Sequence, residues 1–72
     1  MISEKTLLRL GFKLIKYNLD DLICFDYVKK YKEGVTIEVE YGGGICIVID
    51  KKARYIKIEN EKEFIILNKF FE

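Results

Sequence analysis

Apolar and polar positions alternate most regularly between Val35 and Ile49. Val35, Ile37, Val39 and Tyr41 fall on one face of an extended chain, and Thr36, Glu38 and Glu40 on the other. Gly42-Gly43-Gly44 follows. In Ile45 to Ile49 the odd positions share one face, and Cys46 and Val48 share the other. The stretch predicts a β-hairpin with a glycine turn. Its second strand, apolar on both faces, is expected at the centre of the core. Such a strand is covered twice, or once by helices and once by a partner.

The flanking segments extend this frame. Ser3 is a good helix N-cap, Ile2 can staple onto Leu7, and Gly11-Phe12 matches the end of a Schellman motif, so residues 4–10 predict a short helix. Phe12 to Tyr17 reads as strand one, residues 18–21 as a turn, and Leu22 to about Tyr31 as strand two. In strand two, Ile23, Phe25 and Tyr27 oppose Leu22, Cys24, Asp26 and Val28. Residues 50–53 predict another turn and Arg54 to Ile58 strand five, with Ile56 and Ile58 inward. Asn60 with Glu63 three residues on forms a capping box, and Phe64, Leu67 and Phe71, flanked by Ile66 and Phe70, give an apolar helical face. A sixth strand at 64–67 is the rival there; the cap decides for a helix over 61–71.

The order is therefore α-β-β-β-β-β-α with short connections. Sequential strands joined by short loops are antiparallel neighbours. The expected fold is α+β: a single domain with a five-stranded antiparallel meander, and a short N-terminal and a longer C-terminal helix on one face.

Composition adds exclusions. The chain has 72 residues, half of them hydrophobic and a third charged, with net charge +1. A chain this short buries only about 60% of its unfolded surface. Near-neutral charge gives no global attraction to DNA or to a membrane. No basic region followed by an apolar one opens the chain, and no apolar run reaches a span's length, so a cytoplasmic, reduced protein is expected.

Candidate chemistry is sparse. There is no histidine, which removes the commonest general base and the usual activator of a nucleophile. Cys24 and Cys46 sit in apolar strands and read as small hydrophobes, about 9–10 Å apart at two strand spacings, too far for a disulfide. Two cysteines without histidine cannot complete a structural zinc site. Asp20-Asp21 falls far short of a six-oxygen site. The three glycines lead into a strand rather than a helix, so they form a turn and not a phosphate loop. No cofactor, metal or enzymatic activity is expected.

Topology gathers charge. The turn after strand two carries Lys29, Lys30, Tyr31 and Lys32. The turn after strand four carries Lys51 and Lys52, with Arg54 and Tyr55 beyond. In a meander both lie at one end, while Asp20, Asp21, Glu59, Glu61 and Glu63 collect at the other. A basic end with tyrosines can contact phosphates and stack on bases. Glu38, Glu40, Cys46 and Val48 mark a second candidate surface, acidic or apolar. Strand four, Tyr17, Tyr27 and Val48 offer more apolar surface than two short helices cover, which suits a homodimer or a partner interface.

The run Leu7-Leu-Arg-Leu-Gly-Phe12 closes a short helix, and Ile56-Lys-Ile58 leads into a terminal one. With the short strands between, this resembles a group of small uncharacterised proteins of phages and mobile elements. The resemblance implies a phage context and carries over no site residue. By analogy, small phage proteins without catalytic groups often bind and block a host protein, defence nucleases and CRISPR systems included. The first reading is thus a non-enzymatic module that inhibits or adapts a host protein. The alternatives are a nucleic-acid-binding module using the basic end, or a structural homo-oligomer.

Overall fold

The computed structural model describes residues 2–40 and 42–72; Tyr41, expected to face inward, lies outside them. Over these residues the chain runs α1 (Glu4–Arg9), β1 (Lys13–Leu19), β2 (Leu22–Lys30), a 3-10 turn (Lys32–Gly34), β3 (Val35–Val39), β4 (Ile45–Ile49), β5 (Lys52–Ile56) and α2 (Glu61–Phe71). The strands lie in sequence order, each antiparallel to the next. The fold is an α+β meander with both helices on one face.

Both helices are fixed by their ends. Ser3 Oγ accepts from Thr6 N at 3.2 Å. At the other end of α1, Phe12 N donates to Leu7 O and Gly11 N to Leu8 O, the paired bonds of a Schellman motif. Gly11 holds φ +96°, which lets the chain turn into β1. On α2, Asn60 Oδ1 accepts from Glu63 N at 2.9 Å, while the Glu63 carboxylate reaches back to Glu59 N at 2.8 Å. The helix N-termini are latched together: Glu61 accepts from Ser3 N at 2.7 Å and from Thr6 Oγ1 at 2.9 Å.

The core lies between these helices and one face of β2–β4. Leu7, Phe12 and Phe64 pack with Tyr27, Ile37, Val39, Ile45 and Ile47. Phe64 is fully buried, its ring 5.4 Å from that of Phe12, a contact worth about 0.5–1.5 kcal/mol beyond burial. The middle strand is β3; β4 lies next to the edge strand β5. The centre of the core therefore spans the whole hairpin rather than its second strand.

Four expectations need correction. β1 runs on to Leu19 and β5 starts at Lys52, because the turns contain only Asp20-Asp21 and Asp50-Lys51. All four of these turn residues have positive φ, as two-residue hairpin loops require. Tyr27 contributes no spare surface: it is buried, and its hydroxyl donates to Glu4. Ile66 and Phe70 do not flank the core; Phe70 is 80% exposed, and Asn68 occupies the buried side of α2.

The first hairpin departs most from a compact outline. Among the described residues, β2 pairs with β3 from Tyr27 to Lys30, whereas it pairs with β1 from Leu22 to Val28. The tip of β1–β2 therefore projects as an arm, and every residue of β1 is exposed.

Candidate functional site on the open face of the sheet

The face of the sheet opposite the helices is built by strand alternation. One row crosses all five strands: Lys13, Val28, Glu38, Cys46 and Tyr55 are successive register partners. Two residues along each strand lie Ile15, Asp26 and Glu40, and beyond them Tyr17 beside Cys24. On the other side of the row stand Lys30, Thr36, Val48 and Ala53.

Asp26, Glu38 and Glu40 thus occupy the middle of this face, with tyrosines on both flanks. Tyr55 Oη donates to Glu40 at 2.8 Å, and Tyr17 Oη to Asp26 at 3.3 Å. Gly44 makes room for the first pair. A Cβ there would sit 3.3 Å from Glu40 Oε1 and 3.5 Å from Tyr55 Cε1. The hydrogen bond to Glu40 raises the Tyr55 phenol above its ordinary range; desolvation and then Asp26 raise Tyr17. Both phenols therefore remain donors turned towards carboxylates. Among the described residues the ion pair is Lys29–Glu72, so neither Glu38 nor Glu40 is neutralised by one.

No helix covers the Cys46 and Val48 side, yet Cys46 is buried and Val48 half-buried, lying between longer side chains. Burial, followed by Glu38 and Glu40, pushes the Cys46 thiol up. Cys24 lies four residues along β2 from the row that contains Cys46, about 13 Å beyond the two strand spacings. Both cysteines are free. Of the residues expected to offer spare apolar surface, Tyr17 and Ile49 of β4 are exposed. On the arm Ile15, Leu19 and Leu22 join Tyr17 and extend the acidic face outwards.

The expected basic end is partly dismantled. The two turns do adjoin: a Cβ on Gly34 would lie 3.8 Å from Asp50 Oδ1. Lys29, however, points to the helix side and donates to Leu10 O, Asn68 Oδ1 and Glu72 Oε2 at 2.6–2.8 Å, 4.9 Å from the Tyr31 ring centroid. Tyr31 donates to Asn68 and packs on Phe71, and burial raises its phenol strongly. Tyr55 belongs to the acidic face. Lys30, Lys32, Lys51, Lys52 and Arg54 remain exposed.

Asp26 was not singled out from the sequence, and Tyr17 was read only as apolar surface, not as a donor to Asp26. The signal for Asp26 was there, since strand-two alternation already set it beside Cys24 and Val28. Among the described residues no group of His, Cys, Asp and Glu could hold a metal ion, and no helix is long and apolar enough to cross a membrane. The chain matches no family model, no curated protein and no solved structure.

Proposed function

We propose that this chain is a non-enzymatic binding module that docks on a host protein through the open face of its sheet and inhibits or adapts that protein. The observation that carries the reading is the composition of this face. Three carboxylates stand between two hydrogen-bonded tyrosines, uncovered by either helix and continuous with exposed apolar side chains of the arm. Such a face suits a partner presenting lysine or arginine around an apolar centre. Charge complementarity steers the encounter and apolar contact supplies the affinity. The phage context and the inhibitory role rest on the sequence resemblance.

The test is capture from bacterial host lysates on immobilised wild type and on the charge-reversed variant Glu38→Lys with Glu40→Lys, both checked for folding by circular dichroism. A host protein retained by the wild type and lost by the folded variant supports the reading. Equal retention by both overturns it.

A second reading keeps one observation of its own: Lys30, Lys32, Lys51, Lys52 and Arg54 are exposed around two adjoining turns. Nucleic-acid binding there would weaken steeply with salt and disappear in Lys51→Glu with Lys52→Glu. No binding of single- or double-stranded oligonucleotides at low salt removes it.

A further inference from the structure

We propose that β1 is the seam of a symmetric dimer. A second copy of this chain lays its own β1 antiparallel to the first, joining two five-stranded sheets into one. The proposal goes beyond the docking reading: it uses the outer edge of β1, which borders the open face through Ile15, Tyr17 and Leu19.

The first argument is the edge. β1 pairs with β2 over seven residues without a skipped position, and among the described residues it has no partner on its other side. In a hairpin with a two-residue turn the flanking pair, here Leu19 and Leu22, is hydrogen-bonded. By alternation Ile15, Tyr17 and Leu19 bond to β2, while Leu14, Lys16 and Asn18 direct N–H and C=O outwards. Natural edges are blunted by shortness, charge, proline or bulges. Each edge strand carries two basic residues, Lys52 and Arg54 on β5 and Lys13 and Lys16 on β1, but β5 is five residues long and β1 seven. Beyond Lys16, the stretch Tyr17, Asn18 and Leu19 bears no charge.

The second argument is area. A compact chain of this mass should expose about 4,650 Å². This one exposes 5639 Å². The excess, about 1,000 Å², compares with the ~800 Å² that each partner contributes to a standard interface. The projecting β1–β2 arm contributes to it, with Ile15 49% and Leu19 57% exposed.

The third argument is self-complementarity. A two-fold axis normal to the sheet through Tyr17 sets Tyr17 opposite Tyr17 and Ile15 opposite Leu19 on the open face. On the helix side it sets Lys16 opposite Asn18, so no like charges meet. The outward groups of Lys16 and Asn18 then bond each other twice. Because the axis is normal to the sheet, both acid–tyrosine faces end on the same side. The strand needs no foreign sequence to complete it.

Sedimentation equilibrium of the full chain at high micromolar concentration tests the seam. Twice the 8.5 kDa chain mass is expected for the wild type. Asn18→Lys, which sets lysine against Lys16 at both pairs, should move the mass towards the monomer. The double variant Lys16→Glu with Asn18→Lys should restore the dimer. Lys16→Pro removes an outward N–H that β2 does not use, so it should also give a monomer; circular dichroism checks its fold. A monomeric wild type overturns the proposal. So does a dimer unaffected by Asn18→Lys, or one that the double variant does not rescue. Lys16 and Asn18 lie away from the open face, so a folded monomeric variant that still captures a host protein separates this seam from the docking reading.

Discussion

Lys29 Nζ and Asn68 Oδ1 meet 2.8 Å apart in the seam between the sheet and α2. The same ammonium caps the end of α1 through Leu10 O and pairs with Glu72. One side chain from β2 thus ties together both helices. The buried amide oxygen of Asn68 accepts from both Lys29 and Tyr31.

The first prediction follows from that junction. Lys29→Ala leaves Asn68 short of a donor and frees the end of α1. It should destabilise the fold by about 1.5–3 kcal/mol, the range for hydrogen bonds to charged groups. Lys30→Ala, one residue on and exposed, should stay within about 0.5 kcal/mol of wild type. Urea denaturation of the two variants reads the contrast.

A pH dependence follows from Glu61. Its carboxyl is held below the ordinary carboxylate range, first by the Ser3 backbone N–H and then by the Thr6 hydroxyl. Lys29 does the same for Glu72. A carboxyl depressed in the folded state binds its proton more readily in the unfolded chain. Its stabilisation is therefore present above the unfolded pKa of about 4.3 and is lost as pH falls through the folded value. Glu61→Gln should lower Tm near neutrality and leave a shallower loss on acidification than wild type. Thermal melts from pH 7 downwards measure both.

The second pair of turn residues offers a gain in stability. Asp50 and Lys51 hold φ of +50° and +68°, and a non-glycine residue in this region costs about 1–2 kcal/mol. Lys51→Gly relieves the conformation but adds unfolded-state entropy. A net rise of about 0.5–1 kcal/mol is expected. Gly11→Ala, at φ +96°, should act in the opposite direction. Chemical denaturation at constant m-value checks the two signs.

The thiols supply a fourth test. Cys24 and Cys46 are both buried, and Cys46 is further kept from ionising by Glu38 and Glu40. Only the thiolate attacks alkylating reagents. In the folded protein at mildly alkaline pH both thiols should react slowly, and in denaturant both should react fast. Fast labelling of Cys46 in the native state would mean that the open face breathes between Glu38 and Tyr55.

Local and periodic features were legible in the sequence because their causes are local. The Ser3 and Asn60 caps, the Gly11-Phe12 corner and the two-residue alternation of β3 and β4 each depend on residues within one turn or one strand. With short connections they leave little choice but a meander under two helices. The extents of β1 and β5 were less legible. Asp20-Asp21 and Asp50-Lys51 lack the glycine that marks a two-residue loop, and their positive φ is imposed by the paired strands.

What only the tertiary structure decided is which chemically similar residues are free. Lys29 and Lys30 are adjacent in sequence but lie on opposite faces of β2, so one is a structural tie and the other is exposed. Phe64 and Phe70 share α2, and only the first reaches the sheet. Tyr55 looked like part of a basic end until strand pairing placed it against Glu40. The sequence by itself determined the elements and their order, since propensity, capping and alternation act over a few residues. The faces, the partners of each polar group and the uncovered arm were decided by packing, which joins residues far apart in the chain.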